Sequence, residues 1–197
     1  MALFLRDEEV SRAVTMDDML PAIESMQGHF GRGEAMILPR RKIIAGGGML
    51  AVMGGGLFYD GVLGVKTYTV VRGTYSFQVS LYDAETGRLM CYTQANRLGQ
   101  LRTGATTAVA VKYLSNSDAA TVGIIGTGYQ APTQLEAVSK VRNIMSVKAF
   151  SRTAENRDAF AKSMSDSLGV AVSAASAAQE VVEGSDIVIC TAAATGP

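Results

Sequence analysis

Val122-Gly123-Ile124-Ile125-Gly126-Thr127-Gly128-Tyr129-Gln130-Ala131 is the stretch on which the fold turns. Residues 122–125 read as a short apolar strand, the glycines as a tight turn, and residues 130–141 as a helix with Leu135, Val138 and Val141 on one face. A first glycine permits a sharp strand-to-helix turn, and a second lets a diphosphate approach the backbone. Ala131 is small enough for helix and strand to pack closely. The helix start offers unpaired N–H groups and a positive dipole end to an anion. The glycines alone are weak evidence; strand, turn, helix and following strand in the required order give them weight.

Downstream, the alternation continues. Residues 146–150 read as a strand, 154–168 as a helix with Phe160, Met164 and Leu168 on one stripe, then 170–174, 176–183 and 186–191 as strand, helix, strand. Four strands separated by three helices predict a doubly wound parallel sheet of Rossmann type. Such sites select their nucleotide at the tip of the second strand, where a carboxylate about 20 residues beyond the glycines favours NAD. Here the tip is Ser151-Arg152-Thr153, with Asn156 a turn later. No carboxylate repels a 2′-phosphate, and Arg152 offers one a fork of donors. NADP(H) is therefore favoured, with NAD(H) possible.

Upstream, the texture differs. Thr15-Met16-Asp17-Asp18 resembles a capping box, and Met19, Leu20, Ile23, Met26 and Phe30 follow at helical spacing before Gly31 and Gly33. Between 37 and 92, short apolar runs at 38–44, 49–53, 62–71 and 77–82 are separated by glycines or Asp-containing turns, and Asp83 to Gly87 reads as a hairpin turn. The glycine triplets at 46–48 and 54–56 read as turns. A mostly antiparallel sheet behind a helix is expected, then an Ala- and Val-rich helix at 103–114. The expected division is 1–115 for an α+β domain and 116–197 for the Rossmann-type domain.

Composition excludes several classes. Eighteen Lys+Arg balance 18 Asp+Glu, so no basic excess exists to neutralise nucleic acid. With 48% apolar and 18% charged residues the chain can bury a core, and no apolar run approaches the roughly 20 residues a bilayer demands. Asp7, Glu8 and Glu9 stand where a signal peptide needs its apolar centre, so a cytoplasmic protein is expected. Cys91 and Cys190 make no disulfide framework and read as core thiols; the single His29 rules out a multi-histidine metal centre, and no metal is expected.

Three segments resemble the ornithine cyclodeaminase/mu-crystallin family: Arg102-Thr103-Gly104-Ala105-Thr106-Thr107-Ala108, the glycine turn followed by Gln134-Leu135-Glu136-Ala137, and the Asp83 to Gly87 hairpin upstream of Asn96-Arg97-Leu98. Pro39-Arg40-Arg41 and Gly64-Val65-Lys66 add to the similarity. The resemblance implies an N-terminal substrate and dimerisation domain, a Rossmann domain, a homodimer, and amino or cyclic imino acids as substrates. It places the substrate ligands on Arg41, Lys66 and Arg102, with Arg40 the neighbour that a one-residue shift would promote. Three such cations suit one α-carboxylate, and the Lys66 ammonium is the candidate catalytic group near an imine nitrogen. Nucleotide contacts are implied for Thr103, Gly126, Thr127, Gly128, Tyr129, Gln130, Ser151, Arg152, Thr153 and Asn156, and weaker ones for Thr74, Tyr75 and Ser76. Relative to the family the sequence is expected to be short, breaking off at Thr195-Gly196-Pro197 before the catalytic aspartate and the end of the Rossmann sheet. The implied activity is NADPH-dependent reduction of a cyclic ketimine such as a pyrroline- or piperideine-carboxylate. Ornithine cyclodeamination, an alanine-dehydrogenase-like reaction and a non-catalytic nucleotide-binding role are the alternatives.

Overall fold

The computed structural model describes residues 1–192; the expected break at 195–197 lies outside the described residues. The chain divides into two compact units, Met1–Gly99 and Gln100–Pro197.

The first unit opens with β1 (Leu3–Leu5) and α1 (Asp7–Ala13), followed by α2 (Met16–Gly31). Thr15 caps α2 as its sequence predicts: the Thr15 hydroxyl accepts from the Asp18 N–H, and the Asp18 carboxylate accepts from the Thr15 N–H at 2.9 Å. Then come β2 (Ala35–Ile37), β3 (Arg41–Ala45), β4 (Gly48–Leu57), β5 (Val62–Val71), β6 (Thr74–Asp83) and β7 (Leu89–Gln94). They form one sheet in the order β1-β7-β6-β5-β4-β2, with β3 pairing β4 beyond β2. All pairs are antiparallel except β1 with β7. The buried core here is small: Val10, Met16, Met19, Ala35, Ala51, Tyr68 and Ala95. The ten-residue strands β4, β5 and β6 remain mostly half-exposed along their length.

The two glycine triplets have different roles. Gly46 and Gly47, with φ of 58° and 78°, form the two-residue connection between Ala45 and Gly48, the positive-φ geometry that matches strand twist. Gly54 to Gly56 do not turn the chain, contrary to the sequence reading; they lie inside β4. A Cβ at Gly55 would stand 3.1 Å from the Met36 carbonyl oxygen, and one at Gly54 3.1 Å from Leu38 Cδ1. Close approach of neighbours, rather than a bend, requires these small residues.

α3 (Asn96–Leu114) begins a turn and more before the sequence reading places it, and the division between units falls inside it, at 99/100 rather than at 115/116. Its later turns bury Leu101, Gly104, Ala105, Ala108 and Val109. Its end is clamped by Arg142, whose guanidinium donates to the carbonyls of Val111 and Lys112 at 3.0 and 2.8 Å.

The second unit continues with β8 (Thr121–Ile125), α4 (Ala131–Val141), β9 (Ser146–Phe150), α5 (Ala154–Leu168), β10 (Ala171–Ala174), α6 (Ala178–Val182) and β11 (Ile187–Cys190). The strands are all parallel, in the order β10-β9-β8-β11. This is the Rossmann-type arrangement that the alternating pattern predicts, though α6 is only five residues long. Val122, Ile124, Val147, Ala149, Ile187 and Ile189 from the strands pack with Leu135, Val138, Phe160 and Met164 from the helices in one buried cluster. Strand order reverses between β8 and β11, so the carboxyl ends of these two strands flank the crevice where such sheets take ligands.

At the opposite end of β8, Asp186 Oδ2 accepts from the N–H groups of Ala120 and Thr121 and from the Thr121 hydroxyl, at 2.9, 2.9 and 2.7 Å. These donors, the Thr121 hydroxyl first, hold its carboxyl below the usual aspartate range. A depressed folded value means stability that is fully present above the ordinary value near 3.9 and lost as pH falls through the lower folded one. Asp186→Asn is therefore expected to lower the melting temperature near neutral pH and to flatten its dependence on pH below about 4. An unchanged acid slope in thermal melts would contradict this.

No helix among the described residues is long and apolar enough to cross a membrane, and no cluster of metal-ligating side chains occurs among them.

Candidate nucleotide turn and cationic sheet face

In the second unit, the chain leaves β8 at Ile125 and turns at Gly126, whose φ of 99° is closed to side chains. The Gly126 N–H donates to the Phe150 carbonyl at 2.8 Å, placing the turn beside the tip of β9. On the other flank, Thr191 donates through its N–H to the Ile125 carbonyl and through its hydroxyl to the Gly126 carbonyl, both at 2.8 Å. Its two neighbours in the sheet therefore fix the turn on both sides.

α4 starts without a side-chain cap: Gln130 occupies the N-cap and makes no capping hydrogen bond. The N–H groups of Thr127, Gly128 and Gln130 donate to no acceptor among the described residues. Gln130 stands at the start of the helix with the dipole behind it, and Thr127 and Gly128 lie in the turn just before it. Gly128 is exposed, and a Cβ built there meets nothing within 4 Å. Open space before uncapped amides fits a diphosphate. The buried Gln130 Oε1 likewise has no partner among the described residues.

Beneath the turn, the Gln100 side-chain amide donates to the Tyr129 carbonyl, and Thr133 Oγ1 donates to the Gln100 and Gln130 carbonyls at 3.3 and 3.1 Å. Thr103 lies one turn further along α3, half-buried, and Arg102 is exposed on the same helix. Sequence reasoning missed Gln100, Thr133 and Thr191. Each makes a side-chain bond across tens of residues, which no local pattern announces.

At the tip of β9, the Ser151 hydroxyl donates to the Thr153 carbonyl at 3.1 Å, and Arg157 Nη1 donates to the Ser151 carbonyl at 3.2 Å. Arg157 also lies over the Phe150 ring. Arg152, Thr153 and Asn156 are exposed there. The predicted selector residues thus share one strand tip, adjacent to the glycine turn, with Arg157 as an unforeseen positioning residue.

In the first unit, β5 carries Lys66 and Tyr68 on one sheet face, since alternate residues share a face. Lys66 Nζ lies 5.0 Å from the centre of the Phe77 ring, and Tyr68 and Phe77 have ring centroids 4.9 Å apart. Tyr75 stacks on Phe77 at 5.9 Å; Thr74 and Ser76 flank it on β6. Arg40 lies over Tyr68, its Cζ 5.6 Å from the ring centre.

Arg41 is not on this face. It pairs with Val52, and Val52 pairs with Thr67, whereas Lys66 pairs with Met53. Directly paired residues share a face and sequence neighbours do not, so Arg41 and Lys66 project from opposite sides of the sheet. The structure brings Arg40, not Arg41, to the face of Lys66.

The fold and these two features define a Rossmann-type nucleotide unit joined to an α+β unit. A family model for the ornithine cyclodeaminase/mu-crystallin family matches residues 1–197, and the chain belongs to that family. It is 36% identical over 142 residues to a Bacillus cereus Δ1-pyrroline-2-carboxylate reductase, covering 68% of this chain and 44% of that one. It is 28% identical over 207 residues to the rat ketimine reductase mu-crystallin, covering 98% and 65%. Among solved structures, the Thermococcus litoralis Δ1-pyrroline-2-carboxylate reductase in complex with NADH and L-proline superposes with a TM-score of 0.89 at 29% identity, covering 95% of this chain and 61% of that one. The chain thus spans about half to two thirds of the length of the relatives it matches.

Proposed function

We propose that this chain belongs to an NAD(P)-dependent oxidoreductase acting at the C–N bond of a cyclic imino acid, a reductase of pyrroline- or piperideine-2-carboxylate, with NADPH as its reductant. The observation that carries the reading is the turn after β8: uncapped amides at Thr127, Gly128 and Gln130 facing open space at Gly128. The names of the similar proteins, reductases of pyrroline-2-carboxylate and of ketimines, support the substrate class.

Bound nicotinamide supplies the hydride; the protein's task is to hold and orient the reactants. Thr127, Gly128, Tyr129 and Gln130 receive the diphosphate through backbone N–H groups. Ser151, Arg152, Thr153 and Asn156 hold the adenosine ribose and its 2′-phosphate, the phosphate pairing with Arg152. Thr103 is carried over as a further nucleotide contact on the family motif alone, as is Arg102 as a carboxylate ligand. The Lys66 ammonium hydrogen-bonds the substrate and withdraws charge from the imine, which makes its carbon a better hydride acceptor. A second cation comes from the Pro39-Arg40-Arg41 stretch. The half-exposed strands β4 to β6 support a homodimer in which a second copy covers sheet surface.

Titration separates the nucleotide selector from the rest. Arg152→Ala is expected to weaken NADPH binding about tenfold while leaving NADH affinity within about twofold, since only the former loses a charge-assisted pair. Equal affinity of the unaltered chain for both nucleotides would refute the NADPH assignment. Ketimine-dependent NADPH consumption tests the reaction itself, and proline plus ammonia from ornithine would replace it with the cyclodeaminase.

A further inference from the structure

The turn that opens α4 contains one peptide unit whose direction decides which backbone group meets an anion. The Ala131 N–H donates to the Gly128 carbonyl at 3.0 Å, closing a four-residue turn with the Tyr129–Gln130 peptide at its centre. The two common types of such a turn differ by rotation of that central peptide, while the ends stay closed. Carbonyl and N–H of a trans peptide point in opposite directions, so the Gln130 N–H faces away from whatever the Tyr129 carbonyl faces. Here the carbonyl accepts from the Gln100 side-chain amide, which turns the unpaired Gln130 N–H away from α3. Gln130 has φ of −83° and ψ of −25°. That is close to the third residue of a type I turn, at about −90° and 0°.

We propose that Gln100 is a positioning residue of the nucleotide site: by holding the Tyr129 carbonyl inward, it aims the Gln130 N–H at the diphosphate. The inference rests on the function proposed above and adds a residue that acts through Tyr129 rather than by touching the nucleotide. Gln100, Tyr129, Gln130 and Thr133 all belong to the second unit. Gln100 is buried on a helix whose other buried residues are Leu101, Gly104, Ala105, Ala108 and Val109. An amide in that company is costly unless it is bonded, and the Tyr129 carbonyl gives it an acceptor. Thr133 Oγ1 donates to the Gln100 carbonyl at 3.3 Å, so backbone and side chain of Gln100 are both tied to the start of α4. Without the amide, the Tyr129 carbonyl loses a buried partner and gains by turning toward water. Open space lies at Gly128, on the side of the uncapped amides. A carbonyl that turns there presents an oxygen, in place of the Gln130 N–H, to an anion.

Gln100→Met keeps the length of the side chain and its helix preference while removing the donor. Calorimetric titration uses two probes: NADPH, and adenosine 2′-monophosphate, which carries the ribose and its 2′-phosphate but no diphosphate. The variant is expected to weaken NADPH about tenfold and to leave adenosine 2′-monophosphate within about twofold. Amide NMR at saturating NADPH separates aiming from general loosening. The Gln130 signal is expected to move downfield in the unaltered chain; in the variant that movement is lost while the Thr127 and Gly128 signals still respond. Gln100→Ala, expected to show the same contrast between probes, decides the matter if thermal melts show the methionine variant unfolded. Unchanged NADPH affinity in a folded variant, or equal losses for both probes, overturns the role of Gln100 while sparing the proposed nucleotide site. Failure of the unaltered chain to bind NADPH overturns both.

Discussion

Gly126→Ala is expected to destabilise the second unit by about 4 kcal/mol, combining positive-φ strain with overpacking against backbone. The φ of 99° lies outside what an alanine adopts at low cost. The added Cβ would also stand 2.6 Å from the Ala192 nitrogen and 2.8 Å from the Thr191 carbonyl carbon. Neither neighbour is the free end of a flexible side chain. Relief requires the end of β11 to move away, which costs the two bonds from Thr191 to Ile125 and Gly126. A stability of 5–15 kcal/mol is typical of whole domains, so a loss of about 4 leaves a small margin. Urea unfolding followed by circular dichroism measures it, and a midpoint within error of the unaltered chain would show that the turn is not held as described. Gly123 rests on the same logic from the other side: its missing Cβ would fall against the Val181 carbonyl oxygen of α6.

The second large effect is expected at Arg142, the C-cap of α4. Its guanidinium donates to the carbonyls of Val141, Val111, Lys112, Ser115 and Asn116 and to the Ser115 hydroxyl, at distances between 2.8 and 3.2 Å. The acceptors at Val111 and Lys112 are final-turn carbonyls of α3, where a cation also opposes the helix dipole. Hydrogen bonds to a charged group contribute about 1.5–3 kcal/mol each when removed singly, but acceptors that regain water recover part of it. Arg142→Ala is therefore expected to cost about 3 kcal/mol in total, and Arg142→Lys about half that, because an ammonium cannot span six acceptors. Thermal unfolding checks the order Arg, Lys, Ala; a lysine variant as stable as the original would mean that charge alone, not the fork, holds the helix ends.

How much of this was legible in the sequence depended on the range of the interaction. The capping of α2 by Thr15 and Asp18 uses residues three apart, and the turn at Asp83, whose Oδ1 accepts from the N–H groups of Glu85 and Thr86, uses neighbours. Both are local chemistry written into local letters. The parallel sheet was legible because the short apolar run Val122 to Ile125, buried along most of its length, and the strands after it alternate with amphipathic helices. Arg142 was not, since a basic residue after a helix has the same spelling whether it points to water or gathers six acceptors. β1 escaped notice because three residues carry no periodicity; its parallel pairing with β7 is settled some 88 positions away, Leu3 lying opposite Cys91.

The cationic sheet face shows the same limit at higher stakes. Lys66 and the Arg40–Arg41 pair are visible as cations amid apolar strands, and strand alternation gives each a side. The side of the arginines, however, depends on whether Met53 faces one residue or two, a matter of sheet register. The triplet Gly54 to Gly56 misled for a related reason. In sequence, glycines mark turns, whereas here they let Met36 and Leu38 pack against β4. The place of residues 151–153 at the tip of β9 was legible because a βαβ unit fixes where its second strand must end.

Everything rests on the amides after Ile125 receiving a diphosphate. Gly128 permits a direct test, because a side chain there meets nothing within 4 Å and the backbone is in no left-handed conformation. Gly128→Val should fold and melt like the unaltered chain while filling the space before the uncapped amides. Calorimetric titration of NADPH into the two folded proteins is the decisive measurement. Saturable binding by the unaltered chain, weakened about a hundredfold or abolished in the variant, is the result expected from blocking contact between diphosphate and backbone. Equal affinity in both would place the nucleotide elsewhere and contradict the account.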